Sequence, residues 1–196
     1  MLIVVRHGQT SANAAGLLSG RADTSLTELG RRQAASLADA IGRPFRLISS
    51  PLRRARDTAA AFGCPVEVDE RWVELDYGGL DGRAPGAVPA EVWNEWRADP
   101  HFVPAGGESL ASLGERVRDA CRELTAQAAD SDVVVVTHVS PIKAAIAWAL
   151  GVGDEIAWRL FVKEASVCRI RTSSLTPSLL GFNEVHPPVA GGTEAS

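Results

Sequence analysis

The sequence predicts an α/β fold: a three-layer sandwich with a mostly parallel central sheet and helices on both faces. Three observations predict it. The runs Leu2–Val5 and Val133–Val136 are wholly apolar and rich in β-branched residues, the composition of strands buried on both sides. Segments with apolar residues at helical spacing alternate with the strand candidates, the order that builds βαβ units. A chain of 196 residues, 45% hydrophobic and 22% charged, suits one α/β domain with a full core, expected over residues 1–186.

Taken in order, the first strand ends at Val5 and is followed by a polar, glycine-punctuated stretch to about Leu26. Thr27 is a good N-cap for a helix whose Leu29, Ala34, Leu37, Ala38 and Ile41 fall near one face before Gly42 stops it. Phe45–Ser49 reads as a second strand, and Pro51 suits the first turn of a helix running to about Phe62. Val66–Val68 is a short strand candidate. Residues 81–107, broken by prolines and glycines around one short helix with Trp93 and Trp96, read as an excursion from the sheet.

Ser109 then caps a longer helix with Leu110, Leu113, Val117, Cys121 and Leu124 at helical spacing. The four valines 133–136 form the strongest buried strand. They lead into Thr137-His138 and a helix with Pro141 in its first turn. Trp158 to Glu184 reads as strand-rich, broken at residues 173–177. The tail 187–196 is proline, glycine and small polar residues, the composition of a disordered end.

Composition narrows the function classes. A formal net charge of -4 repels polyanions, so nucleic acid is not an expected partner. Only five apolar residues precede Arg6 in MLIVVRHG, too few for a signal peptide's apolar region or a membrane span, and a cytoplasmic, membrane-free protein is expected. Cys64, Cys121 and Cys168 lack the spacing of a zinc knuckle or a disulfide framework and are expected to be reduced and mostly buried. Trp93 and Trp96 are expected to pack the short helix onto the body, and an exposed position for one of them leaves a homodimer open.

The chemistry gathers at three strand ends: Arg6-His7-Gly8, then Ser49-Ser50-Pro51-Leu52-Arg53-Arg54, then His138-Val139-Ser140. In an open parallel sheet, ligands bind beyond the carboxyl ends of the strands, where helix N-termini point free N–H groups. Two histidines and at least two arginines can therefore converge on one anion, with the choice between Arg53 and Arg54 open. A phosphoryl group suits them. Arginine keeps its charge and offers a planar fork of donors, and an imidazole with an ordinary pKa of roughly 6.5 is largely unprotonated, hence nucleophilic, at pH 7.

These residues carry a resemblance to the histidine phosphatase superfamily, which includes the cofactor-dependent phosphoglycerate mutases. Val5-Arg6-His7-Gly8-Gln9-Thr10 with Asn13 is similar to its signature. Gly20 to Asp23 followed by Leu26 to Gly30, Ser49 to Ala55 with Thr58, Glu74 to Gly78, Gly106 to Ser109 and Val136 to His138 follow in the family's order over roughly residues 2–150.

The resemblance implies a phosphoglycerate mutase-like fold and a metal-independent, cofactor-free phosphatase acting on a small phosphorylated molecule. It implies His7 as a nucleophile that is transiently phosphorylated and Glu74, rather than the nearby Asp76 or Asp81, as proton donor. It implies Arg6, Arg54 and His138 as holders of the phosphoryl oxygens, with Asn13 assisting. The Arg-Ala-x-x-Thr pattern selects Arg54, leaving Arg53 and Arg56 on a solvated face. His101 and His186 match nothing in the pattern.

One departure stands at the second histidine, where many members have glycine. This chain has His138-Val139-Ser140-Pro141, similar to phosphatases related to α-ribazole phosphatase, and the Val139 N–H is expected to donate to a phosphate oxygen. A mutase is the nearest alternative, but Glu74 and Gly107 are only 33 positions apart, with Arg83 and Arg97 the only arginines between them, and no lysine. A catalytically idle binding module on the same fold is the other.

Overall fold

The computed structural model of the chain describes residues 1–188. Its strands are β1 (Leu2–Arg6), β2 (Arg46–Ser49), β3 (Glu67–Val68), β4 (Val133–Thr137), β5 (Ser166–Arg171) and β6 (Ser178–Val185), and its α-helices α1 (Ser11–Ala14), α2 (Glu28–Ile41), α3 (Arg53–Ala60), α4 (Ala90–Ala98), α5 (Leu110–Asp130) and α6 (Val139–Leu150). The strands form one sheet in the order β3-β2-β4-β1-β5-β6. The first four run parallel, whereas β5 is antiparallel to β1 and β6 to β5.

Every residue of β1 and β4 is buried, as strands covered on both faces must be. Side chains alternate across the pleat. Leu2, Val4, Val133 and Val135 pack with Ile48 against α5 and α6, whereas Ile3, Val5, Val134 and Val136 pack with Leu47 against Leu37 of α2 and Ala55 and Ala59 of α3. These two apolar clusters are the two interfaces of a three-layer sandwich.

This layering places the site. The chain leaves β1 for α2 on one face and leaves the adjacent β4 for α6 on the other, which opens a crevice beyond the carboxyl ends of the two strands. Register levels the ends, with Arg6 opposite Thr137 and Val136 opposite Ser49. His7, His138 and Ser50 therefore leave the sheet side by side, and the ladder continues one step further through His7 N–H to Thr137 O and Ser50 N–H to Val136 O.

The caps expected at Thr27 and Ser109 form, each hydroxyl accepting the N–H three residues on, from Gly30 and Ser112. Two local expectations need correction. α3 begins at Arg53, so Pro51 lies outside it. Leu52 is extended and has no side-chain cap, and Asp23 from the loop before α2 accepts the Arg53 N–H at 2.6 Å, satisfying the helix start from a distance. The polar stretch after His7 contains the one-turn α1, held by a reciprocal capping box of Thr10 and Asn13.

The excursion 81–107 carries α4 as expected, and Trp93 and Trp96 pack it onto the body, also as expected. Trp96 is 1% exposed, with its ring 5.6 Å from both the stacked Trp93 and the edge-on Trp158. Trp96 is therefore closed to a partner, whereas Trp93 is half-buried. Gly78, at φ +53°, approaches Ala105 O and the Gly107 N–H so closely that a Cβ would sit 2.3 Å from the former. Only glycine lets the acid-bearing segment lie against the Gly106-Gly107 bend.

Cys121 and Cys168 are buried, Cys64 is half-buried, and all three are free. Among the described residues no helix is long and apolar enough to cross a membrane. The expected disordered tail lies outside the described residues except for Pro187 and Pro188.

Candidate active site

The structure brings the two histidines together, ring centroids 5.0 Å apart, with one arginine between them. Arg54 Nε shares its proton between His7 Nε2 at 3.1 Å and His138 Nδ1 at 3.2 Å. The donor set settles the tautomers. Gly8 O can only accept, so His7 carries its proton on Nδ1, 2.7 Å away, and presents a lone pair at Nε2. His138, accepting at Nδ1, carries its proton on Nε2 and donates it to Ser50 Oγ at 2.7 Å.

Both imidazoles are nearly or fully buried. That burial, reinforced by Arg54 and Arg6, holds each well below the ordinary imidazole range. His7 thus keeps its lone pair into acid solution. The same shifts set a stability window. The unfolded chain binds protons at these histidines below about pH 6.5 while the folded chain does not, so stability is full above that pH and falls below it, by at most about 1.4 kcal/mol per pH unit for each histidine. The ion-paired Glu28 and Glu67 are held below the ordinary carboxylate range by hydrogen bonds from Arg31 and Arg46, so their titration follows at lower pH. Thermal melts should show Tm falling between pH 6.5 and 5; a Tm that holds or rises there contradicts two neutral buried imidazoles.

Backbone supports fix His7 in place. Gly8 donates its N–H to Thr58 Oγ1 at 3.0 Å, and Thr58 donates to Arg54 O at 2.7 Å, tying the β1 end to α3. A Cβ on Gly8 would stand 2.3 Å from Gly30 O, so the residue after His7 must be glycine for α2 to approach.

His7, Arg6, Asn13, Glu74, Val139 and Lys143 line a cavity of about 450 Å³. Arg6 donates to Val162 O at 2.7 Å and pairs with Glu164 at 3.3 Å, while its buried Nε has no partner among the described residues. Thr10 N–H fixes Asn13 Oδ1 at 3.0 Å, which determines the orientation of the amide. Glu74 is buried and accepts three backbone N–H bonds: Leu75 and Ser140 at Oε1, 2.8 and 3.1 Å, and Val139 at Oε2, 3.1 Å. Asp76 and Asp81 stand apart from the cavity lining. Each carboxylate accepts loop N–H groups, Asp76 from Gly78 and Asp81 from Gly20 and Ala22.

Two expected donors are engaged differently. The Arg54 fork, fully buried, turns to the carbonyls of Ala22, Ser19 and Gly20, because a buried guanidinium takes the nearest acceptors; only its Nε faces the histidines. The Val139 N–H, expected on a phosphate oxygen, donates to Glu74. Arg54 and His138 contact His7 but do not line the cavity. Arg53 and Arg56 are exposed as expected, and His101 lies on the surface.

Three residues near the site had no assigned role from sequence: Ser50, Thr58 and Lys143. The first two sit inside quoted motif blocks, yet hydroxyls that orient a histidine or a glycine N–H have no residue-type signature of their own. Lys143 did have one. It is one of two lysines against 18 arginines, and the only charge on α6.

A doubly wound sheet with two neutral histidines and two buried arginines at its switch crevice defines a histidine-centred, anion-binding enzyme site. The chain belongs to the histidine phosphatase superfamily (branch 1), whose model matches residues 2–185. It is 39% identical over 171 residues to a glucosyl-3-phosphoglycerate phosphatase of Mycolicibacterium vanbaalenii, covering 76% of this chain and 74% of that one. It is 33% identical over 192 residues to phosphoserine phosphatase 1 of Hydrogenobacter thermophilus, covering 93% and 91%. Among solved structures, a mycobacterial glucosyl-3-phosphoglycerate phosphatase in complex with VO3 superposes with TM-score 0.83 at 34% identity, covering 93% of this chain and 98% of that one. These relatives give the narrower resemblance to α-ribazole phosphatase no support.

Proposed function

We propose that the chain is a phosphatase hydrolysing a small-molecule phosphate monoester through a phosphohistidine on His7. The observation that carries this reading is the His7 tautomer: Nδ1–H is tied to Gly8 O, so the Nε2 lone pair is presented beside two arginines in a cavity that also holds Glu74. Nε2 attacks phosphorus in line. The ester P–O bond breaks as the N–P bond forms, and Glu74 in its acid form gives its proton to the departing oxygen. Water then attacks the phosphohistidine, gives a proton to Glu74, and the N–P bond breaks to release phosphate.

Charge on the phosphoryl oxygens is met by the unpartnered Arg6 Nε–H, by Arg54 Nε–H once it leaves His7 and by the Asn13 amide, while His138, which accepts from Arg54 Nε and donates to Ser50, holds Arg54 in place. The side chains named carry each step of this scheme.

The two arginines between Glu74 and Gly107 give the mutase alternative no support. Arg83 is exposed, and Arg97 lies over the Trp93 and Trp158 rings at 5.7 and 5.6 Å; neither lines the pocket. The three free cysteines and the net charge of -4 support a reducing, cytoplasmic setting and a partner no larger than the substrate. The purified chain should hydrolyse p-nitrophenyl phosphate in the presence of EDTA and leave an acid-labile label when quenched. Inertness toward aryl and alkyl monoesters alike sinks the proposal and returns the chain to the idle binding module.

A further inference from the structure

Beside the main cavity lies a second space that the phosphoryl scheme does not use. It is a cleft of about 180 Å³ that shares Leu18, Tyr77, Val139 and Lys143 with the cavity holding His7 and Glu74. Leu75, Trp93, Trp96 and Trp158 are further walls. Three of the chain's five tryptophans and its one tyrosine therefore line this single cleft.

The walls are built in advance of any ligand. Trp96 stands among Tyr77, Trp93, Phe102 and Trp158, with ring centroids 5.6 to 5.9 Å from its own. The Arg97 guanidinium lies 5.7 and 5.6 Å from the Trp93 and Trp158 ring centroids and ties α4 to the segment after α6. Trp93 directs its one donor to Pro85 O. Desolvation pushes the Tyr77 phenol up and the Lys143 ammonium down, the mark of surroundings poor in water. A void against apolar walls forfeits dispersion contacts, which a ligand recovers.

Position determines which part of a substrate the cleft receives. Glu74 marks the leaving-group side of the reacting centre, and the cleft is assembled from its neighbours. Leu75 and Tyr77 follow it in the chain, and Val139 and Ser140, whose N–H groups hold its carboxylate, line the cleft as well. A group attached to the departing oxygen thus enters the cleft while the phosphoryl group stays at His7. Size and lining determine what kind of group. An apolar cavity of about 150 Å³ holds one benzene molecule, so this cleft accommodates a single ring. Lys143 is the one charged residue of the lining and is shared with the cavity; the unshared wall is aromatic and aliphatic except for Ser140. Indole walls favour a flat aromatic ring over a hydrated one, whose hydroxyls would lose water without finding partners.

We propose that this cleft is a subsite for an aromatic ring on the leaving group, and that the enzyme prefers monoesters whose alcohol carries such a ring within a few bonds of the ester oxygen. This rests on the phosphatase reading above. Phosphoserine and glucosyl-3-phosphoglycerate, which name the relatives, carry no aromatic ring, so likeness to them does not supply the preference.

Ethyl phosphate and 2-phenylethyl phosphate separate the subsite from the chemistry, since both release a primary alcohol and they differ by the ring. Wild-type kcat/KM should favour the phenyl ester by about tenfold to a hundredfold, the effect of burying one phenyl group, expressed mainly in KM. In Ala157→Phe, which puts a ring of the protein's own into the cleft, the ratio should fall toward one. 2-Phenylethanol alone should change tryptophan emission saturably in the wild type, because three indoles line its site, and should not in the variant. Tm checks that the variant folds; if it does not, the wild-type ratio and titration decide on their own. A wild-type ratio near one, or a ratio that persists in folded Ala157→Phe, overturns the subsite and leaves the phosphatase standing. Saturable binding of 2-phenylethanol that the folded variant retains overturns it too. Absence of hydrolysis of both esters and of p-nitrophenyl phosphate sinks the phosphatase reading instead, and the preference with it.

Discussion

Replacing His7 with alanine should lower kcat by at least about 10⁴-fold and remove the acid-labile phosphoenzyme together with it. The two losses are linked because the same nitrogen forms the intermediate and opens the faster two-step route. Few structural consequences compete with this reading. Arg54 Nε loses one of two acceptors and keeps His138 Nδ1 at 3.2 Å, while its fork keeps the carbonyls of residues 19–22. The strand end stays anchored through Gly8 N–H to Thr58, which the substitution does not touch. The variant should therefore fold, with an imidazole-sized space opened beside the cavity. A rapid-quench experiment with ³²P-labelled substrate gives both readouts. Label retained in the variant, or turnover within tenfold of wild type, assigns the nucleophile elsewhere.

How much of this site could be read in advance follows from what kind of group makes each contact. The convergence of His7 and His138 was legible because it needs only two buried parallel strands whose ends are level. Four valines at 133–136 and Leu2–Val5 announce such strands by composition alone. Thr27 and Ser109 were legible as caps because the partner N–H is local. What escaped depends on main-chain partners contributed by distant segments. The carbonyls that turn the Arg54 fork away come from residues 19, 20 and 22, and a carbonyl has no residue type to read.

The Val139 N–H was assigned to phosphate because a helix N-terminus binds anions. That physics was sound, but the anion that reached it was the carboxylate of Glu74, brought by a loop whose course Gly78 and Gly107 determine. α3 began late for the same reason: its cap is Asp23, 30 positions away. The packing of Trp93 and Trp96 onto the body was legible, but their partner Trp158, from a distant segment, was not.

Replacing Glu74 with glutamine should separate the two chemical steps. For an alkyl phosphate, whose departing alkoxide needs a proton, phosphorylation of His7 slows and kcat should fall by about 10²- to 10⁴-fold. With p-nitrophenyl phosphate the departing phenolate needs no proton, so the first step persists while hydrolysis of the phosphohistidine, which uses Glu74 as base, slows. The expected trace is a burst of about one p-nitrophenol per site, then slow turnover, with phosphohistidine accumulating. The hydrogen bonds of Glu74 say which oxygen is at work. Oε1 already accepts from Leu75 and Ser140, whereas Oε2 accepts only from Val139 and retains capacity for a proton. In the variant the amide oxygen takes the Oε1 place and the NH₂ group opposes the Val139 N–H, costing about 1–3 kcal/mol of stability without unfolding the chain. Asp76 and Asp81 cannot substitute, since their carboxylates brace loops outside the cavity. Equal losses on the alkyl and aryl esters with no burst would remove Glu74 from the proton path and leave it as a strut for the N-terminus of α6.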